Sequence, residues 1–250
     1  MIRMLRGQSP TARRNGMGEL LDGGSLSPDA LAANLREIRL INRGLGWTAI
    51  TVRLIEDLAR REGLQSWSYL DVATGSGDLP RAVLRRAVRR GWQIEAHGLD
   101  ASDTVLGVAR HYLGEAPVAL HLGDARILPF ADRSIDVVTC ALALHHFAPD
   151  DATRVLRELA RVARRAWLLV DLERSFPAYL GALALLLLLR SPVTRQDAPA
   201  SVLRAYTLPE LRSLLDSAGL GDAYAGTRFP FRLVAWGTPS SLHVPVARAQ

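Results

Sequence analysis

The stretch from Tyr69 to Pro80, YLDVATGSGDLP, constrains this chain more than any other. An apolar run, Tyr69 to Val72, ends in a turn with two glycines and passes directly into a helical pattern, Leu79 to Arg90. Strand, tight glycine turn and helix are how an open α/β sheet builds a ligand cradle. Glycine accepts turn angles closed to other residues and lets a ligand come close to the backbone. The first N–H groups of the helix then face that ligand, and Pro80 in the first turn gives up an N–H that has no helical partner anyway. A short glycine turn alone is weak evidence, so its weight depends on what surrounds it.

Downstream the pattern alternates. The sequence predicts strands at 69–73, 93–99 (running to Asp100), 118–122, 135–142 and 166–171, with helices at 79–90, 102–112 and 150–163 between them. Strand alternating with helix predicts a parallel sheet with right-handed crossovers. Two amphipathic helices precede it. Ser27-Pro28-Asp29 starts the first, with Leu31, Leu35, Ile38 and Ile41 at helical spacing; the second carries Trp47, Ile50, Leu54, Ile55 and Leu58 on one face and ends at Gly63. After the fifth strand the rhythm breaks. Residues 179–189 are almost wholly apolar but fall short of the about 20 residues a bilayer requires. They read as a buried helix, or as an apolar lid or a membrane-surface contact through 180–189. Residues 191–201 are polar and read as a loop. Thr207-Leu208-Pro209-Glu210 is a capping box that opens a helix ending at Gly219, and strands at 223–228 and 231–237 follow. The expected plan is a disordered tail over 1–18, an N-terminal helical cap over 19–64, a main domain over 65–237 with 175–206 as a substrate-side insert, and a tail over 238–250.

Charge and cysteine usage narrow the class. The formal net charge is +6, but the chain has no lysine: all 31 basic residues are arginine, as codon bias would produce. Arg85-Arg86, Arg89-Arg90 and Arg164-Arg165 lie within helical patterns and read as solvated faces, so no nucleic-acid partner is expected. Cys140 is the one cysteine and lies in an apolar run, which rules out an intrachain disulfide and fits a reducing compartment. No Cys or His pair has metal-ligand spacing, so no metal is expected. Met1 to Asn15 lack an apolar core of signal-peptide length, and a cytoplasmic protein is expected.

Ligands of open α/β sheets bind outside the carboxyl ends of the strands. There this sequence puts Asp71 and Gly75 after the first strand, Asp100 after the second, Asp124 after the third, and His145-His146 after the fourth. Each aspartate alone is as readily a turn or helix cap. Asp100 lies about 20 residues past Gly77, where a carboxylate can accept both hydrogens of a ribose diol. Asp124-Ala125 can offer a carboxylate and an N–H to an adenine edge. Nicotinamide dinucleotides and S-adenosylmethionine both fit so far. The pyrophosphate fingerprint needs a third glycine, and Asp78-Leu79-Pro80 stands there instead, with a negative charge that disfavours phosphate. A sulfonium cofactor has no phosphate and is cationic, so Asp71 and Asp78 suit it.

At this point the chain resembles the class I S-adenosylmethionine-dependent methyltransferases of the small-molecule branch. The resemblance runs through Asp71-x-Ala73-x-Gly75-x-Gly77, Gly98-Leu99-Asp100, Gly123-Asp124-Ala125, the stretch Leu128 to Val138 and Ala143-Leu144-His145-His146-Phe147, covering about residues 66–237. The turn looks most like that of quinone C-methyltransferases; the insert around Arg195-Gln196-Asp197 and the N-terminal helices look more like methyltransferases of polyketide pathways. Ala73 replaces the usual first glycine, and Arg164-Arg165-Ala166 stands in place of Pro-Gly-Gly before strand five. The resemblance implies a Rossmann-like sheet of seven strands with the last antiparallel, helices on both faces, and S-adenosyl-L-methionine as cofactor. It implies that Ala73, Thr74 and Gly75 pass their backbone along the methionine part, that Gly77 completes the cofactor-binding glycine motif, and that Asp71 orients that turn or reaches the amino group through water. Asp100 would hold the ribose with Ala101 beside the adenine, Asp124 and Ala125 would meet the adenine edge, and Ala141 and Leu142 would face the sulfonium.

A phenol or enol acceptor must lose a proton, which suits a histidine. His145, ahead of His146, is the candidate base; both also read as structural. Arg43, Arg195 and Tyr206 are candidate acceptor contacts, and the arginines read equally as surface. The apolar, aromatic composition of the flanking segments points to a small apolar or aromatic acceptor. The leading expectation is O-methylation of a phenolic, polyketide-type molecule. Carbon methylation of a prenylated quinone precursor is the alternative, and a non-catalytic scaffold is the third reading.

Overall fold

The computed structural model describes Leu20 and residues 26–239. The expected tail over 1–18 and nearly all of the one over 238–250 lie outside the described residues. Two helices come first, α1 (Pro28–Gly44) and α2 (Trp47–Arg61). The chain then alternates through β1 (Ser66–Val72), α3 (Asp78–Arg90), β2 (Gln93–Asp100), α4 (Asp103–Leu113), β3 (Val118–Leu122), β4 (Ile135–Ala141), α5 (Pro149–Val162) and β5 (Ala163–Leu172). It closes with α6 (Phe176–Leu185), α7 (Pro192–Arg204), α8 (Leu208–Ser217), β6 (Tyr224–Arg228) and β7 (Arg232–Gly237).

The strands form one sheet in the order β3-β2-β1-β4-β5-β7-β6. All pairs are parallel except those of β7, which runs antiparallel to both β5 and β6. The expected Rossmann-like sheet of seven strands, the last antiparallel, is the one observed. Strand order reverses between β1 and β4, and this switch point opens a crevice at their carboxyl ends. Both faces are covered. Leu156, Leu159 and Ala160 of α5 and Leu211 and Leu215 of α8 bury against one; Val52, Ile55 and Leu58 of α2 and Val83 of α3 bury against the other. Ile55 alone, almost fully buried, is worth roughly 1.5–3 kcal/mol. Arg164, in place of the glycines usual before strand five, grips Asp136 through Nε and Nη2, both at 2.7 Å, and pins β5 to β4.

The structure corrects the sequence reading at two places. Arg164-Arg165, read within a helical pattern, lie in β5, where the parallel pairing with β4 takes them up directly after α5. Residues 191–201 were expected to be loop; they form most of α7. Ser191 caps it, Pro192 is its first residue, and Pro199 sits inside it. Its packed face is partly polar: Asn34 Nδ2 of α1 donates to Thr194 Oγ1 at 3.1 Å, and Asp197 is buried. Polar side chains facing polar side chains leave no apolar stripe to read. The apolar stretch before it forms α6, which ends at Leu185 and leaves Leu187 and Leu188 largely exposed. The Glu37 carboxylate accepts from the N–H groups of Arg190 and Ser191 and ties α1 to the α6–α7 junction.

Candidate active site

The carboxyl ends of β1, β2, β4 and β5 open into a cavity of about 850 Å³, roofed by α1, the start of α2, α6 and α7. That volume lies within the usual range for a small-molecule site. Three non-glycine residues lining it, Ala73, Leu142 and Phe231, have left-handed backbone at φ 57°, 58° and 50°. Such strain costs about 1–3 kcal/mol each and persists where the surrounding structure imposes it.

One pole of the cavity is acidic. Asp71, at the end of β1, accepts from Thr74 Oγ1 and Thr139 Oγ1, both at 2.9 Å, and Tyr69 Oη bonds Thr139 at 2.8 Å behind it. Asp100 accepts from Gly75 N at 3.0 Å and Ser102 N at 3.1 Å, so it shapes the glycine turn from the neighbouring strand. Asp78 accepts from Ser76 Oγ. Burial raises the pKa of all three, outweighing their hydrogen bonds, and pushes Asp71 up to about 7. None of the three forms an ion pair among the described residues. Arg39 and His146 lend Asp78 and Asp100 only a longer-range attraction. β2 approaches this pole so closely that a Cβ on Gly98 would lie 3.0 Å from Thr74 Cγ2.

The other pole is built on His145. Its Nδ1 lies 2.6 Å from Asp171 Oδ1 and its backbone N–H donates to Asp171 Oδ2 at 2.9 Å. Both residues are buried. Burial would push the Asp171 carboxyl up, but the charge and hydrogen bond of His145 and the charge of Arg232 hold it below its ordinary value. With Asp171 ionised, Nδ1 is the donor, so a neutral ring keeps its lone pair on Nε2. The rings of His145 and His146 lie 4.3 Å apart, and both line the cavity. Beside them Arg232 of β7 is 1 % exposed and stacks its guanidinium 3.0 Å from the centre of the Trp47 ring.

The structure thus brings together Asp71, Ala73, Thr74, Gly75, Asp100, Ala101, Ala141, Leu142, His145 and His146 around one cavity. Other candidates fall outside its wall. Gly77, at φ 74°, starts α3, where a Cβ would meet Leu113. Asp124 is held by Arg126 at the surface, which lowers its pKa, and Ala125 is buried in the core beside it. Arg43 is exposed on α1. Arg195 is committed to the carbonyls of Leu186 and Leu189. Tyr206 is 3 % exposed and donates to the Phe147 carbonyl, so it braces the turn after His145 from behind. Sequence reasoning missed Asp171, Arg232 and Trp47. Asp171 had a signal, since it ends strand five as Asp71 and Asp100 end theirs; the other two had none.

Residues 70–166 match a family model described as a methyltransferase domain. The chain is 42 % identical over 104 residues to the demethylmenaquinone methyltransferase of Thermotoga maritima, covering 42 % of each chain. It is 33 % identical over 171 residues to the demethylmenaquinone methyltransferase of Deinococcus radiodurans, covering 65 % of this chain and 66 % of that one. It therefore spans less than two thirds of the length of these curated relatives. Among solved structures, the YcgJ protein of Bacillus subtilis superposes with a TM-score of 0.50 at 25 % identity, over 71 % of this chain and 70 % of that one.

Proposed function

We propose that this chain is a class I S-adenosylmethionine-dependent methyltransferase that methylates a ring carbon of a small quinol-type acceptor bearing an apolar tail. The observation that carries the reading is the cavity's acidic pole: buried Asp71 and half-buried Asp78 and Asp100, none in an ion pair among the described residues, gathered at the ends of β1 and β2 and the start of α3. Buried anions are costly unless paired, so the site fits a ligand bearing positive charge. S-adenosylmethionine, when bound, supplies an electrophilic methyl on a sulfonium centre. Asp71, through Thr74, holds the turn at Ala73 to Gly75; Asp100, which already fixes that turn, keeps acceptor capacity for the ribose hydroxyls. Asp124 and Ala125 reach an adenine edge only if Arg126 releases the carboxylate. Ala141 and Leu142 wall the space between the two poles.

At the other pole His145 takes the hydroxyl proton of the acceptor, and Asp171 holds its ring in the tautomer that can do so. Loss of that proton raises electron density on the ring carbon beside the oxygen, where the new carbon–carbon bond would form as the sulfur–methyl bond breaks and S-adenosylhomocysteine leaves; the hydrogen displaced from that carbon would leave to solvent as a second proton. Apolar walls from Leu35, Ile38 and Leu185 keep water away, and the helices hold the acceptor in line. Carbon rather than oxygen methylation, the reverse of the leading expectation, is supported by the name of a further relative, the ubiquinone/menaquinone biosynthesis C-methyltransferase of Paraburkholderia phymatum, 34 % identical over 140 residues. Exposed Phe176, Leu180, Leu187 and Leu188 flank the cavity and suit a tail that reaches a membrane surface. Among the described residues no helix is long and apolar enough to cross a membrane.

The test is calorimetric titration with S-adenosylhomocysteine, followed by turnover of a demethylmenaquinol in liposomes. Micromolar binding to the wild type is expected, weakened at least about tenfold in Asp100→Ala, since a hydrogen bond to a charged group is worth about 1.5–3 kcal/mol. Carbon-13 NMR of the product should show a methyl on carbon, and the protein should co-sediment with the liposomes. No binding by the wild type refutes the enzyme reading; a methyl on oxygen refutes the carbon assignment; absence from the pellet refutes the membrane contact.

A further inference from the structure

Arg232 is the least satisfied charge lining the cavity. It is almost wholly buried, and burial pulls its pKa down from the ordinary arginine range to about 9. The Trp47 ring covers one face of the guanidinium, and Nη1 donates to the Phe231 carbonyl at 3.2 Å. Nε and Nη2, which carry more than half of the fork's donors, have no hydrogen-bond partner among the described residues; both are closed off in this conformation, so a ligand oxygen meets them when the side chain turns toward the cavity. Asp171 attracts it without a hydrogen bond, because both Asp171 oxygens are engaged by His145 and by Leu172 N. A buried cation in this state is expensive, and a planar fork of donors is matched by an oxyanion.

We infer that Arg232 is the anion-recognition residue of the acceptor site, and that the acceptor binds there as an aromatic enolate or phenolate whose oxygen takes the Nε and Nη2 donors. This rests on the methyltransferase reading and gives it a substrate class: ionisable hydroxylated quinones and naphthols, not their ethers. It also gives the proton removed by His145 a purpose, since the charge left on oxygen meets a preformed cation instead of water. Trp47 holds the guanidinium flat, which is why the first residue of α2 belongs to the site. The charged and titratable groups around the fork are Asp171 of β5 and His145 of the turn after β4.

The test compares two probes of one ring system, 2-hydroxy-1,4-naphthoquinone, which is ionised at neutral pH, and its methyl ether, which cannot ionise. With S-adenosylhomocysteine saturating, the wild type should bind the hydroxy compound at least about tenfold more tightly than the ether. The preference should fall to within about twofold in Arg232→Met and survive in part in Arg232→Lys. The ultraviolet–visible spectrum of the probe provides a readout that needs no variant, because a probe held against Arg232 should titrate at lower pH bound than free. A preference that persists in Arg232→Met, no preference or no binding of the hydroxy compound in the wild type, or an unshifted titration each overturns the assignment. S-adenosylhomocysteine affinity separates the two levels. If the wild type fails to bind it, the methyltransferase reading fails; if it binds and the probe preference ignores Arg232, only this inference fails.

Discussion

The two poles of the cavity carry charged groups of opposite sign whose hydrogen-bonding capacity the described residues leave partly unfilled. At one, Asp71 is buried, Asp78 and Asp100 are half-buried, and none forms an ion pair among the described residues; at the other, Arg232 is a buried cation whose Nε and Nη2 have no hydrogen-bond partner there. A folded chain can remove such charges by pairing them with each other, and here the apolar stretch of Ala141, Leu142 and Val170 lies in the same wall and the charges stay unpaired. Unpaired buried charge describes the ligand better than matched charge does, because the missing partner is specified in sign and position. On the proposed function, the difference between the poles is that one meets a cationic molecule and the other an anionic one, across an apolar gap.

The largest expected effect breaks the histidine pole and leaves the acidic one alone. Asp171→Asn removes the acceptor that holds the His145 tautomer, and turnover should fall at least about a hundredfold, in the range of a lost general base. S-adenosylhomocysteine affinity should change by less than about twofold; a parallel loss of affinity would show that the two poles are not separable.

A smaller effect sharpens the acidic pole. The Asp71 pKa of about 7 lies above its unfolded value of about 4. Between those pH values the folded chain without ligand holds more protons than the unfolded one, so this group lowers stability as pH rises through that window. A cationic ligand favours the ionised form. Binding at pH 7 should release about half a proton, and affinity should weaken by up to about tenfold per pH unit below 7. Calorimetry in buffers of different ionisation enthalpy measures the release; proton uptake, or none, would falsify the assignment of Asp71 to the cation.

The smallest effect asks whether the poles are insulated. Gly98→Ala would push a Cβ to 3.0 Å from Thr74, which holds Asp71. Overpacking of this kind costs about 1–3 kcal/mol, so thermal unfolding should move down by several degrees and S-adenosylhomocysteine should bind a few-fold more weakly. The tenfold probe preference set by Arg232 should remain; its disappearance would mean that strain at β2 reaches β7.

The acidic pole was readable in advance because its parts are close in sequence to features with their own signatures. Asp71 precedes a glycine turn, and Asp100 ends a strand and opens a helix cap at Ser102. The histidine pole was half readable. His145 follows strand four, and Asp171 would have been found by applying the strand-end rule once more. Arg232 and Trp47 were not readable, because one looks like a strand residue near the end of the domain and the other like one more apolar position on an amphipathic helix. Helix α7 escaped for a related reason: Thr194 and Asn34 pack polar to polar, so neither helix shows its contact as periodicity.

By itself, then, the sequence determined what short-range chemistry controls: the alternation of strands and helices, the turn at Ala73 to Gly77, the caps, and the acids at the first strand ends. Backbone sterics and side-chain periodicity act over a few residues and leave their mark in order. The tertiary structure alone decided which charges would be buried without a partner. It set Arg232 of the last strand on Trp47 of the second helix and turned Arg126 onto Asp124. Desolvation depends on everything packed around a group, and that packing is written nowhere locally in the chain.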